Sequence, residues 1–385
     1  MKELLSKKNV VLVKTGTKIK SGVDTGQPCL VVAVKKKVRK SKLKSEDLIP
    51  QITKDGQATD VIVSSPIKAY NGCQDPDPAD GCPPHTDRQR PYVGGISVGR
   101  GSITGTAGLI VRDSIDGQLV FLTNNHVLCL LFDPNYLFPI GGSLDPTINY
   151  LIQPSILDGG SDPADRIGYG KRAVAIQFGP EGQNYVDGAI LEIDDTTEAI
   201  TDILHTHIGP FPWLSDNEIY AGLSTEKAGR STGNTQGDVS AVGVAANVIY
   251  GGYDTPENTG QFFNQVLIET TGRYSMAGDS GSVVTAKVSG SHRIVGLMYA
   301  GNDEGTITLI NPMGSVASQL QIESWDGKLS LAPGALPVQT VHDRCFYDTG
   351  EYIGGDASHV AQKTFGSCDE CLQYQFRSRM LGNVI

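Results

Sequence analysis

Ala277-Gly278-Asp279-Ser280-Gly281-Ser282-Val283-Val284 is the stretch on which the fold turns. Two glycines flank an Asp-Ser pair, and a β-branched apolar run follows at once. A serine used as a nucleophile needs such a frame. Gly278 lets the backbone curl so that its N–H can face a developing negative oxygen, the Ser280 N–H offers a second donor, and Gly281 leaves room for a reactant to approach. Val283 and Val284 then anchor the turn as the start of a buried strand. Taken alone, Gly-Asp-Ser-Gly is also an ordinary glycine-rich turn.

Two further segments extend this frame. Phe121-Leu122-Thr123-Asn124-Asn125-His126-Val127-Leu128 delivers a histidine at the end of an apolar strand. A general base needs a fixed backbone, one ring nitrogen toward the nucleophile and the other toward an acid. A lone histidine in apolar surroundings is otherwise an ordinary core residue. Asn184-Tyr185-Val186-Asp187-Gly188-Ala189-Ile190-Leu191 sets a carboxylate at the head of another apolar strand, where it can orient His126 and stabilise its imidazolium. The three residues follow in the order His126, Asp187, Ser280, with separations of 61 and 93.

The rest of the chain reads as β-rich. In 385 residues there are 46 Gly and only 5 Met, and the apolar runs are short, which predicts many turns and strands. Strands are expected over 107–111, 119–123, 188–193, 265–269, 282–286, 294–300 and 306–310, with a short closing helix from Val316. Residues 1–70 read as a small basic α+β domain, with strands at 10–13, 29–34 and 59–63 and a short helix capped by Ser45. Residues 71–91 form a Pro/Asp/Gly-rich linker, 92–335 the strand-rich domain, and 336–385 a cysteine-containing tail.

The order of these residues resembles the chymotrypsin/trypsin family of serine proteases. Thr123-Asn124-Asn125-His126-Val127 is similar to that family's Thr-Ala-Ala-His-Cys segment, with Val127 where Cys stands, so the disulfide that Cys makes is absent. Ala228-Gly229-Arg230-Ser231-Thr232-Gly233, followed by Gln236-Gly237-Asp238-Val239, resembles the first strands of the second barrel in bacterial members. Val295-Gly296-Leu297-Met298-Tyr299-Ala300-Gly301 resembles the strand that pairs with bound substrate. Residues 9–65, Gly94-Gly95-Ile96-Ser97-Val98-Gly99 and Asn124-Asn125-His126 are similar to a bacterial trypsin-like group related to the plant narrow-leaf trypsin-like proteins.

The resemblance implies a mainly β fold, a chymotrypsin-like double antiparallel β-barrel with a small α+β N-terminal domain. It implies a serine endopeptidase acting on polypeptide through an acyl-enzyme, with His126, Asp187 and Ser280 as catalytic triad and the N–H groups of Gly278 and Ser280 as oxyanion hole. Tyr274, Ser275, Met298, Tyr299 and Ala300 fall at its substrate-binding positions, and neither cofactor nor metal is expected. A homo-oligomer is an expectation carried by the plant-related group alone. There are departures. The position six residues before the nucleophile is Tyr274 rather than an acid, so a preference for Arg or Lys is not supported; Tyr274, Ser275 and Met276 imply a small or narrowed pocket. Arg90-Pro91-Tyr92-Val93-Gly94-Gly95 echoes an activation cleavage site, but Pro91 disfavours cleavage. In an uncleaved chain Asp279 then needs another partner for its charge. The competing reading is a protease-fold structural or binding module, oligomeric, with little or gated catalysis.

Charge and cysteines bound the remainder. The net charge is -10, yet residues 1–50 hold thirteen basic and four acidic residues, so +9 sits there and -19 elsewhere. The basic run is interleaved with Val31-Val32-Ala33-Val34 and has no stacking aromatics, which favours a domain packed on an acidic neighbour over a nucleic-acid partner. Neither a signal peptide nor a membrane-spanning segment is read, so a cytoplasmic protein or one released by a non-classical route is expected. Of seven cysteines, Cys29 and Cys129 read as buried thiols, and Cys73 and Cys82 bracket a loop that a disulfide could close. His342, Cys345, Cys368 and Cys371 make an HxxC…CxxC pattern that suits tetrahedral zinc, with a disulfide or free thiols as competing readings. His205 and His207 alternate on one strand face and read as surface residues.

Overall fold

In the computed structural model the described residues are 1–69, 85–129, 144–145, 147–194, 199–204, 212–251 and 254–325. The 73–82 cysteine loop, His205 and His207, and the tail with its four metal-type ligands lie outside them.

The N-terminal segment contributes helix α1 (Lys2–Leu5) and strands β1 (Val10–Lys20), β2 (Val23–Val34), β3 (Thr59–Val63) and β4 (Ile67–Ala69). The helix expected at Ser45 is a single 3-10 turn, Ser45–Asp47. Next come β5 (Tyr92–Gly94), β6 (Ser97–Arg100), β7 (Ile103–Thr106), β8 (Leu109–Asp113), β9 (Leu119–Thr123), helix α2 (Asn125–Leu128), β10 (Tyr150–Ile152), β11 (Arg166–Ala173) and β12 (Ala189–Ile193). After β13 (Ala199–Ile203) follow β14 (Ser224–Gly229), β15 (Gly233–Ile249), β16 (Thr259–Glu269), β17 (Val283–Val288), β18 (Ser291–Gly301) and β19 (Ile307–Pro312), then helix α3 (Met313–Leu320) and β20 (Ile322–Glu323).

Two antiparallel barrels result, and the fold is mainly β. In the first, neighbours run β8-β9-β12-β11-β10-β6-β7. Only Ala107-Gly108 separates β7 from β8, so the two ends of that series are one continuous stretch and the sheet closes on itself. The break is fixed by crowding: a Cβ on Gly108 would lie 2.6 Å from the Leu122 carbonyl oxygen and 2.8 Å from that of Gly281. In the second barrel the ring is β14-β17-β18-β19-β16-β15, closed by the β14–β15 hairpin.

Alternation explains why these strands are apolar throughout. On β9, Leu119 and Phe121 point into the first barrel, while Val120 and Leu122 point out. The outward residues are not solvated. They meet Val283, Ile294 and Leu297 of the second barrel and Met313, Val316 and Leu320 of α3, forming a core between the barrels. Each such side chain taken out of water contributes about 1.5–3 kcal/mol, so the barrels are held as one body by ordinary hydrophobic burial.

The N-terminal segment is attached through β15, whose 17 residues outrun the barrel. Its first part pairs with β14, Ala245 and Ala246 pair with β1, and Val248 and Ile249 pair in parallel with β4. Val11, Leu12 and Ile67 share a core with Tyr250, Phe262, Tyr299 and Ala300. Lys14 forms an ion pair with Glu269, and Lys35 with Asp254, so basic N-terminal residues do meet acids of the second barrel.

Candidate active site

Thr123 ends β9, and Asn124 in extended conformation turns the chain into α2, a single turn that presents His126. Val127 and Leu128 bury in the first barrel and hold that turn in place. Asp187 immediately precedes the Gly188 that leads into β12, the strand paired with β9, so His126 and Asp187 face each other across one ladder. The His126 Nδ1 lies 2.6 Å from Asp187 Oδ2, and the His126 backbone N–H donates to Asp187 Oδ1 at 3.2 Å.

Three further groups hold Asp187. The Tyr250 hydroxyl donates to Oδ2 at 2.9 Å, the Asn124 side-chain amide donates to the Asp187 carbonyl at 2.7 Å, and Asn311 accepts from the Asp187 N–H at 3.2 Å. Burial, and then the Asp187 charge, push the Tyr250 phenol well above its ordinary value, so it stays a donor across the physiological range. Tyr250 and Asn311 lie 63 and 124 residues from Asp187, and no local motif marks them. Asn124 stands inside the Thr-Asn-Asn-His segment, which is the one signal that could have found it.

Ser280 sits on the turn before β17. Gly278 and Gly281 adopt φ of +99° and +97°, where a side chain is strained, and a Cβ on Gly281 would lie 2.1 Å from the Thr106 carbonyl oxygen. The first barrel grips the turn through Thr106, whose N–H donates to the Ser280 carbonyl at 2.7 Å and whose hydroxyl donates to the Gly278 carbonyl at 2.8 Å. Gly105, next to Thr106, fits between the two halves of the site: a Cβ there would lie 2.6 Å from Val127 Cγ1 and 3.0 Å from the Ser280 carbonyl oxygen.

Asp279, beside the nucleophile position, is fully buried, and its charge is met from within the second barrel. Lys227, also fully buried, places Nζ 3.3 Å from Oδ2. The N–H groups of Ser231 and Thr232 donate to Oδ1 at 2.8 and 3.1 Å, and the Thr232 hydroxyl and Met276 N–H to Oδ2 at 2.6 and 3.0 Å. No freed chain terminus is needed for this charge. Arg230 instead makes a two-armed contact with Asp158 of the first barrel, at 2.9 and 2.6 Å, and so ties the barrels together beside the turn.

His126 and Ser280 are both fully buried. The Ser280 hydroxyl donates to the Tyr299 carbonyl at 3.2 Å, while His126 Nε2 is buried and makes no hydrogen bond. The structure thus brings His126 to Asp187 and leaves Nε2 and the serine hydroxyl uncommitted to each other. Of the positions expected to bind substrate, Tyr274 and Met298 lie within the second-barrel core, and the Ser275 hydroxyl pairs with that of Thr308 at 2.6 Å. Tyr299 and Ala300 are buried in the core shared with the N-terminal segment. A cavity of about 610 Å³ opens on that segment's side, lined by Lys7, Lys36, Ile67, Asn247, Asp254 and Gln261, and no triad position lines it. Cys29 and Cys129 are buried free thiols, as read from sequence, and burial raises both above the ordinary thiol range. Among the described residues no group of His, Cys, Asp and Glu is arranged for a metal ion, and no helix is long and apolar enough to cross a membrane.

No protein-family model matches this sequence, and no curated protein matches it. Solved structures do. A glutamic acid specific serine protease is 19% identical, over 61% of this chain and 100% of that one, with a TM-score of 0.39. Thermobifida fusca protease A is 17% identical, over 61% and 98%, with a TM-score of 0.38. Cellulomonas bogoriensis chymotrypsin is 14% identical, over 61% and 98%, with a TM-score of 0.36. Likeness at these scores is remote and says nothing of this chain's own chemistry.

Proposed function

We propose that this chain is a chymotrypsin-like serine endopeptidase that hydrolyses peptide bonds of polypeptide substrates through a Ser280–His126–Asp187 triad. One observation carries the reading: His126 Nδ1 meets the buried Asp187 carboxylate, which also accepts from the Tyr250 hydroxyl and the His126 N–H, while its Nε2 is buried with no partner. A buried nitrogen without a partner is what a base that meets its partner only during the reaction requires.

The chemistry follows from that contact. Asp187 accepts from Nδ1, so the lone pair of the ring is on Nε2. Once the Ser280 hydroxyl turns from the Tyr299 carbonyl, Nε2 takes its proton as the oxygen attacks the substrate carbonyl. Asp187 then faces an imidazolium, which the carboxylate and its donors stabilise without taking the proton. The N–H groups of Gly278 and Ser280 serve the oxyanion, an arrangement that the positive φ of Gly278 favours. His126 returns its proton to the leaving amine, and water, deprotonated in turn by Nε2, releases the acyl group from Ser280. Tyr274 in place of an acid argues for substrates without a basic side chain at the cleaved position.

A fluorophosphonate probe tests the reading. Labelling is expected on Ser280 and is lost in both Ser280→Ala and His126→Ala. Labelling that persists in Ser280→Ala would remove the assignment.

A further inference from the structure

The edge of β18 beside the nucleophile is already occupied. Leu297 pairs with Val283 of β17; the Met298 N–H donates to the Ser282 carbonyl at 2.9 Å, and the Gly281 N–H donates to the Met298 carbonyl at 3.0 Å. The Tyr299 carbonyl takes the Ser280 hydroxyl. At the next two positions the partner changes: Ala300 pairs with Ala69 and Gly301 with Lys68, both from β4. Nucleophile and β4 therefore abut along one edge, at consecutive residues of the same strand. A peptide whose carbonyl lay at Ser280 would have to run out along this edge past Ala300 and Gly301, because β17 has taken the edge on the other side of the nucleophile and β19 the opposite face of the ladder.

Direction agrees as well. β4 is antiparallel to β18, so Ile67-Lys68-Ala69 runs toward Ser280, as the acyl side of a bound peptide would. Ile67 and Ala69 are buried against the cluster of Tyr250, Phe262 and Tyr299, and the Tyr250 ring stands 6.0 Å from that of His126. This placement accords with the complete burial of Ser280 and His126. β4 is held on both sides, by β18 and in parallel by Val248 and Ile249 of β15, and Ile67 and Ala69 are buried, so its release requires an incoming peptide to replace those contacts. It is three residues long, and its one described ion pair, Lys68 to Asp303 at 2.6 Å, joins side chains that are 35% and 65% exposed. A pair so exposed contributes little.

We propose that β4 is a tethered substrate mimic: Ile67-Lys68-Ala69 fills the β18 edge that an incoming peptide needs, and the folded chain is a latent form that must release β4 to act. The proposal rests on the reading of Ser280 as nucleophile, deepens it by naming how the site is regulated, and implies that small or apolar residues suit the subsites where Ile67 and Ala69 now lie. Release leaves the barrels intact, since β4 belongs to neither ring. In population terms, the apparent reactivity of Ser280 is its intrinsic reactivity scaled by the fraction of molecules with β4 detached.

The test uses the full-length chain, wild type and Lys68→Pro, the latter removing a backbone N–H from the centre of β4. Both are treated with a small fluorophosphonate, in which an Oγ–P bond forms, fluoride leaves and the hydroxyl proton passes to base. Lys68→Pro is expected to label about tenfold faster or more, and a free Ile-Lys-Ala peptide should slow it again. In parallel, wild type is modified with a peptidyl phosphonate and hydrogen exchange is followed at residues 67–69; their protection should fall in the adduct. This second measurement decides the matter should Lys68→Pro not fold. Equal labelling rates in two folded proteins, or an adduct in which 67–69 remain protected, would overturn the mimic while leaving the protease reading standing. No labelling of either protein by either probe would instead remove the nucleophile, and the mimic with it.

Discussion

His126 and Ser280 stand on different barrels, and the two barrels hold them by different means. On the first, Asp187 fixes the ring of His126, Tyr250 and the two asparagines fix Asp187, and Nε2 is left without a hydrogen bond. On the second, the Gly278 and Ser280 carbonyls of the turn are braced by Thr106, Asp279 is paired with Lys227, and the Ser280 hydroxyl is turned to a carbonyl of β18. Two buried carboxylates divide along the same line. Asp279 faces a fixed cation and serves architecture, whereas Asp187 faces a ring that can gain or lose a proton. Under the function proposed above, Asp187 needs that second kind of environment, in which its charge meets an imidazolium formed during the reaction.

Four measurements would break or sharpen this contrast. Asp187→Asn should lower the rate of Ser280 labelling by about 10⁴-fold with the fold intact, since an amide selects the wrong tautomer of His126; a loss of folding instead would make Asp187 as architectural as Asp279. Lys227→Met should do the reverse. It leaves the Asp279 charge buried without its cation, and urea titration should show a loss of about 3–5 kcal/mol.

His85 gives a smaller, pH-dependent effect on stability. It is buried, with Nδ1 2.8 Å from the Gly95 carbonyl oxygen, and burial, the largest influence, lowers it to about 4. The unfolded chain then binds the proton more readily than the folded one. Stability is whole above pH ~6.5, where the unfolded ring loses its proton, and falls as pH drops toward 4, by about 3 kcal/mol in all. His85→Gln should flatten that slope in urea titrations at pH 7 and 4.5; an unchanged slope would assign the acid sensitivity elsewhere. Smallest of the four, Tyr250→Phe removes one donor from Asp187, and labelling should slow about tenfold. A purely structural role for Tyr250 would leave the pH profile where it was, while a positioning role moves its acid limb to higher pH, because a less stabilised carboxylate holds the imidazolium proton more firmly.

Much of this architecture was legible from local patterns. Thr59–Val63 and Leu119–Thr123 are strands with the limits that the sequence implied, because a β-branched or apolar run is bounded on both sides by turn-forming residues. The run at 265–269 is the C-terminal half of Thr259–Glu269 and that at 294–300 lies within Ser291–Gly301, the added residues being recruited by ladder partners. β15 was hardest to read. Gly233, Gly237 and Gly243 interrupt its alternation, and Gly243, at φ +64°, lies where the register against β16 shifts, so only pairing with β14, β16 and β1 makes one strand of it. Site residues divide in the same way. His126, Asp187 and Ser280 sit in local frames that announce a polar group at a strand end. Tyr250, Asn311 and Lys227 act across long separations in sequence or from within a core, where nothing in the neighbouring residues tells a partner from a filler. The route of β4 was hidden for another reason: Ile67-Lys68-Ala69 is too short to carry a period, and its place is chosen by the edge that receives it.

Thr106 has a consequence for the birth of the protein as well as for its chemistry. The loop bearing Ser280 takes its shape from a residue made 174 positions earlier, and Arg230 must find Asp158 across the same seam. A chain still emerging from the ribosome carries His126 and Asp187 long before Ser280 exists, and a chain just completed holds a serine whose turn is unbraced until the halves dock. Splitting the seam between two lobes makes the bracing of the Ser280 turn a late event, set by the order of synthesis.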